Sequence, residues 1–340
     1  MIQHGLGTTG KRAVELMVEK EGIEIVGAIA RRKEKAGKDL GEVVGLGRKL
    51  GVVVSNDLDA VISETVADVV LDATYSRTRE VYPYLVKGLE RKLNWVTIAE
   101  ELCNPWFQEP KLAGNIDRLA KRNGVTVLAT GANPGFALDA LPVFFSSACG
   151  KLKKIRARRA VDAAIFADSP VVVGNFGIGL TPGAYKKKEE AGAIFGHTGF
   201  PESVSVVAKA LGWEGINIER THEPMIAKVS RDFSPHLIIE PGQVVGSREI
   251  CRATKDGEEV INFELAICWG FDPATDGIEA GFTCWLEGEP NIEITVKGIA
   301  EAGLMPTVTV SRAINLIPYV VKARPGMLNV TEVGLGSYLR

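Results

Sequence analysis

The chain has 340 residues, 46% of them hydrophobic, and a net charge of −2 from 40 Lys and Arg against 42 Asp and Glu. That apolar content is ample for two buried cores, and the balanced charge excludes a global basic field for nucleic acid or anionic lipid. The five cysteines show no C-x-x-C pair and no histidine at ligand spacing, so no metal site is expected; an odd cysteine count without a leader or a bilayer-length apolar run points to a reducing cytoplasm and no membrane contact.

The first motif is Gly5-Leu6-Gly7-Thr8-Thr9-Gly10, between an apolar start and a helix-like segment. In this setting G-x-G-x-x-G binds a dinucleotide: Gly5 allows the tight turn, Gly7 the approach of the pyrophosphate, and Gly10 close helix packing. A second strand is expected from Ile23 to Ile29. Its end, near Ala30, lacks the acidic residue that accepts ribose hydroxyl hydrogen bonds in an NAD site. Arg31, Arg32 and Lys33 follow instead, which favours the 2′-phosphate of NADP(H) and leaves NAD(H) as the second choice, with Glu34 and Asp39 within reach of a ribose. Only four residues precede Gly5, short for a central strand; either the native start lies upstream or the fold accepts a clipped strand.

Strands are then expected at 52–54, 69–74, 95–99 and 125–130, with helices at 80–91 and 112–122. Six strands with crossovers make an α/β Rossmann domain, a doubly wound parallel sheet. Its crevice at the strand ends is expected to gather Thr74, Tyr75, Ser76, Ala99, Glu100, Glu101 and the segment from Gly131 to Phe136. From about residue 151 the pattern turns β-rich, with strands at 153–162, 244–254, 260–269, 278–286 and 292–296 and helices starting at Thr181-Pro182 and Pro201. The basic stretch from Lys151 to Arg159 reads as a strand with Ile155 and Ala157 inside. The domains expected are a dinucleotide-binding domain at 1–135, an α+β substrate and dimerisation domain at 136–308, and a segment at 309–340 whose helix from Val310 to Val321 packs back on the first.

Among titratable groups, Glu100 and Glu101 are the leading catalytic candidates, because they follow an apolar strand directly. A carboxylate there can stabilise an iminium or move protons, or it can simply favour the start of a helix. His197, in Gly196-His197-Thr198-Gly199, either lines a pocket or braces a loop, His4 is read as structural, and His222 and His236 stand beside no catalytic partner in sequence. No G-x-S-x-G elbow is present.

Gly5 to Gly10, Thr97-Ile98-Ala99-Glu100-Glu101, Thr130 to Phe136 with Asp139, Gly196 to Gly199 with Glu202-Ser203, and Asn315-Leu316-Ile317-Pro318 with Pro325-Gly326 together resemble the 2,4-diaminopentanoate dehydrogenase family, which includes native amine dehydrogenases. The resemblance implies a dihydrodipicolinate-reductase-like architecture, a homodimer, and NAD(P)-dependent oxidative deamination of an amine or diamine, reversible as reductive amination of a ketone or aldehyde with ammonia. It implies an essential glutamate matching Glu100 or Glu101; an analogy with sugar dehydrogenases bearing Glu-Lys-Pro at this place favours Glu101. It places Asn133 and Pro134 near the nicotinamide and Phe136 beside the substrate. Two alternatives stand: a cyclic imine reductase, whose His-His…Lys signature is absent here, and a non-catalytic NADP(H) sensor. The sequence leaves the amine substrate open.

Overall fold

A computed structural model describes residues 1–194, 196–299 and 304–340. The chain divides into two compact units, one of Met1–Ala140 with Pro306–Arg340 and the other of Leu141–Met305.

Unit 1 is built from β1 (Ile2–His4), α1 (Thr8–Met17), β2 (Gly27–Ile29), α2 (Leu40–Val44), β3 (Val54–Ser55), α3 (Leu58–Glu64), β4 (Val69–Asp72), α4 (Thr78–Glu90), β5 (Asn94–Thr97), α5 (Pro110–Asn123) and β6 (Thr126–Ala129). Its sheet is parallel throughout, and the order from one edge to the other runs β6, β5, β4, β1, β2, β3. Local chemistry sets the helix limits: Asp57 accepts the Ala60 N–H at the start of α3, and α5 opens on Pro110 and ends at Gly124 in the left-handed region. The core joins Ile2, Val70, Leu85, Trp95, Ile116 and Val127, all fully buried. β1 spans three residues and pairs on both sides. β2 is limited by that partner and forms over Gly27–Ile29 instead of the longer run expected from Ile23.

Unit 2 follows α6 (Ala140–Ser146) with β7 (Lys151–Asp162), α7 (Pro170–Asn175), α8 (Pro182–Glu190), α9 (Phe200–Ala210), β8 (Asn217–Ile226), β9 (Arg231–Phe233), β10 (Leu237–Ile239), β11 (Val244–Lys255), β12 (Glu258–Cys268), α10 (Pro273–Asp276), β13 (Gly281–Glu289) and β14 (Ile292–Val296). Six of these strands make a mixed sheet in the order β14, β13, β7, β12, β11, β8, with β7 and β12 parallel and all other neighbours antiparallel. β8 escapes the sequence reading because it is an edge strand whose residues are mostly polar and which contains Pro224, so it shows no apolar period. In β7, Ile155 and Ala157 point inward as expected, and the same parity buries Arg159.

The chain returns to unit 1 through α11 (Met305–Lys322) and β15 (Gly326–Leu328), which pairs in parallel with β6 and makes a seventh strand. The sequence gives no sign of this strand, since three residues after a Pro-Gly step read as a helix terminator. No helix among the described residues is long and apolar enough to cross a membrane.

Candidate active site

In unit 1 the strand order reverses between β1 and β4, and ligands of open α/β sheets bind outside the strand ends at such a switch point. Gly5 follows β1 with φ +93°, where a Cβ would lie 2.5 Å from the Ala73 carbonyl oxygen. A Cβ on Gly10 would lie 2.1 Å from the Gly5 carbonyl oxygen, whereas one on Gly7 would meet nothing within 4 Å. The turn and the helix start are therefore fixed by contact, and the space at Gly7 is left open. Gly7 caps α1 without a side-chain hydrogen bond, so the N–H groups of Thr8, Thr9 and Gly10 face a place suited to phosphate oxygens. Leu6 and Ala30 are buried and can offer a ligand only backbone.

Cations gather beside this loop. The Lys35 ammonium donates to the Leu6 carbonyl at 2.6 Å, and burial, followed by the charges of Lys11 and Arg32, holds its pKa below the ordinary lysine value. Arg31 donates to the Tyr75 hydroxyl at 3.1 Å and lies 5.6 Å above that ring. The Asp39 carboxylate accepts the N–H groups of Leu50, Gly41 and Gly51, which lower its pKa and tie it to the start of α2.

Behind Tyr75 a polar group missed by the sequence reading crosses the strand ends. The Tyr75 and Tyr84 rings stack at 6.1 Å, and Tyr84 packs 5.1 Å from His4. His4 Nδ1 lies 3.0 Å from Asp72, off the line of a good hydrogen bond. The buried Asp72 carboxylate accepts the hydroxyls of Thr74 at 2.6 Å and Thr97 at 2.7 Å, so it braces two strand ends. Ala99 is fully buried, with its N–H donated to the Thr97 hydroxyl.

Glu100 and Glu101 open a short 3-10 turn after β5. One Glu101 carboxylate oxygen accepts the Thr78 N–H at 2.9 Å, at the start of α4. Among the described residues its second oxygen carries no hydrogen bond and is not sealed off. Glu101 thus serves the start of α4, not of a helix begun by Leu102, and its other oxygen is an oriented acceptor.

The loop after β6 holds an amide without partners. Asn133 is 7% exposed, and neither its Oδ1 nor its Nδ2 has a hydrogen-bond partner. A buried amide left in this way costs free energy unless a ligand completes it. Gly135, at φ +121°, gives its N–H to Asp139 at 2.7 Å, and the Thr130 hydroxyl donates to its carbonyl at 3.3 Å. Phe136 is half-buried beside them.

Unit 2 holds its own ionised cluster, assembled by strand parity. Arg159 on β7 is 3% exposed, its Nε has no partner, and burial lowers its pKa to about 10. His197 has a sealed, unpartnered Nδ1; burial, with the charges of Arg159 and Arg220, pushes its pKa down to about 3, so the ring is neutral. Its loop is pinned because the fully buried Glu249 of β11 accepts the His197 N–H at 2.6 Å and the Arg220 guanidinium of β8, while Arg220 also donates to the His197 carbonyl at 3.1 Å. Burial raises the Glu249 pKa and those partners pull it back. His222 is not isolated as its sequence neighbours suggest: its ring lies 2.8 Å from the Tyr185 hydroxyl, 3.3 Å from Glu189 and 3.9 Å from Glu249. Cys251, Cys268 and Cys284 are pushed up to about 12 by burial and are poor nucleophiles.

Two family models cover most of the chain. Residues 136–339 match the 2,4-diaminopentanoate dehydrogenase C-terminal domain, and residues 2–97 match the N-terminus of dihydrodipicolinate reductase. The chain belongs to the 2,4-diaminopentanoate dehydrogenase family. Within this family of oxidoreductases, the 2,4-diaminopentanoate dehydrogenase of Acetoanaerobium sticklandii is 34% identical, over 97% of this chain and 91% of that protein. An amine dehydrogenase of Streptomyces virginiae is 24% identical over 97% and 95%. The solved amine dehydrogenase of Mycobacterium smegmatis superimposes with TM-score 0.82 at 27% identity, covering 99% of this chain and 96% of the other.

Proposed function

We propose that this dehydrogenase carries out the NADP(H)-linked oxidative deamination of a small amine that also bears a carboxylate, and the reverse reductive amination with ammonia. The observation that carries the chemistry is Glu101, a carboxylate fixed by the Thr78 N–H through one oxygen and open at the other. A bound nicotinamide supplies the hydride acceptor or donor. The chain's own part is to orient and neutralise: Glu101 faces the positive charge of the iminium and takes the proton of the water that attacks it, and held geometry supplies much of the remaining acceleration. The open α1 start takes the pyrophosphate, and the partnerless Asn133 amide suits the nicotinamide carboxamide.

The preference for NADP(H) rests on Arg31, Arg32, Lys35 and Lys11 beside the loop and on the engagement of Asp39 elsewhere. The preference for a carboxylate-bearing amine rests on the likeness to the relative named for 2,4-diaminopentanoate.

The test is NADPH oxidation with ammonium and a panel of ketones with and without a carboxylate, repeated with NADH and without ammonium. Turnover that needs ammonium and favours NADPH and a keto acid is expected. Turnover without ammonium would make the enzyme a carbonyl reductase, and NADPH binding with no turnover on any panel member would favour a preformed cyclic imine substrate or a sensor.

A further inference from the structure

The geometry points to Arg312 of α11 as a positioning residue for the nicotinamide half of the cofactor, an inference that rests on the proposed role of Asn133. The Asn133 amide lies in a loop whose backbone is fastened from α11. Arg312 Nε donates to the Gly135 carbonyl at 3.3 Å, and its guanidinium lies 5.2 Å above the Phe136 ring. Three residues earlier on the helix, the Thr309 hydroxyl accepts the Ala132 N–H at 3.4 Å. The loop segment 132–136 is thus held at both ends by one helix face, since positions three apart lie on the same side. Asp139, which accepts the Gly135 N–H, also acts on Arg312, countering the burial that lowers the arginine's pKa. The same guanidinium reaches the Leu335 carbonyl, so it is fixed from a second side. Asn133 itself has no such fastening, and its placement follows from its neighbours.

The helix also reaches the other half of the cofactor site. Arg12 of α1 donates through Nε to the Thr307 hydroxyl at 3.0 Å. Thr307, Thr309 and Arg312 therefore link the phosphate-facing helix to the Asn133 loop, and only the last two touch that loop. A lysine cannot reproduce the Arg312 contacts, because stacking on Phe136 needs the planar group while its edge donates to Gly135.

The experiment is calorimetric titration of the full chain with NADPH and with 2′-phospho-ADP-ribose, which lacks the nicotinamide, for wild type, Arg312→Gln, Arg312→Lys and Asn133→Ala. Arg312→Gln is expected to weaken NADPH about 3- to 10-fold, the range of one lost hydrogen bond, with 2′-phospho-ADP-ribose unchanged. Turnover is expected to fall by ~10- to 100-fold, with guanidinium ion restoring part of it in Arg312→Ala and Arg312→Lys remaining close to the Gln variant. Equal weakening of both ligands would reveal a general structural role and overturn the inference, as would unchanged NADPH affinity. If Asn133→Ala leaves the two affinities intact while Arg312→Gln separates them, the carboxamide role of Asn133 falls and the positioning role of Arg312 stands.

Discussion

The two units place their polar chemistry in different parts of the chain fold. Unit 1 offers groups at strand ends: bare N–H groups at α1, the Asn133 amide on a loop, and a carboxylate on the turn after β5. Unit 2 sets charged and polar side chains along its strands, with Arg159 on β7 and Glu249 on β11 buried and Arg220 and His222 on β8 more open to water. The first arrangement depends on local turns, so its groups cost little to keep without a ligand except at the buried Asn133 amide. The second takes the Glu249 charge out of water and sustains it by pairing with Arg220, whereas among the described residues no anion is bonded to the buried Arg159.

Removing single groups sharpens that difference. The largest effect is expected in unit 1: Glu101→Gln should lower turnover at least ~100-fold with NADPH affinity nearly intact. Steady-state kinetics paired with titration decide this, and normal turnover would transfer the role to Glu100. Next comes unit 2, where Glu249→Gln should speed amide hydrogen exchange in the loop around His197 roughly 10- to 100-fold by removing a charge-assisted pair with Arg220, and an unchanged exchange rate would show that the clamp does not hold the loop. A third, smaller change concerns cofactor choice: Arg31→Ser should shift the NADPH to NADH ratio of kcat/KM by ~10-fold toward NADH, and an unchanged ratio would remove Arg31 from the 2′-phosphate site.

The smallest effect is on stability. His197 in the folded state titrates near 3, below its ordinary value of 6.5. Below about pH 6.5 the unfolded chain therefore takes up a proton that the folded chain refuses, and stability declines as pH falls from there toward 3. His197→Asn should flatten that acid limb in urea melts between pH 4 and pH 7, and an unaltered limb would show that the ring is not sealed.

Legibility follows the same division. The parallel sheet, the glycine turn and the Glu-Glu turn are encoded by neighbours within a few residues, so spacing alone announces them. Even so, spacing could not say that Glu101 also serves the start of α4, because Thr78 lies 23 positions away. The sequence offers Arg159 among several candidate partners of a charged group without placing it; its burial follows from the parity set by Ile155 and Ala157, a signal that was available. The Glu249 clamp on His197 spans 52 positions and needs the β8 to β11 pairing, which the polar edge strand does not advertise. α11 shows a helical period but nothing that names the loop it fastens.

The returning segment Pro306–Arg340 has a consequence for how the protein is made. Unit 2 is continuous in sequence and can collapse as soon as it leaves the ribosome, whereas unit 1 must wait for β15 to cover the β6 edge and for Arg312 to grip the Gly135 loop. During synthesis the earlier strands remain an unfinished sheet with its β6 edge uncovered, the state most exposed to wrong partners. Fragments ending near residue 140 should inherit that weakness, because the segment that completes the sheet lies beyond unit 2 in the sequence.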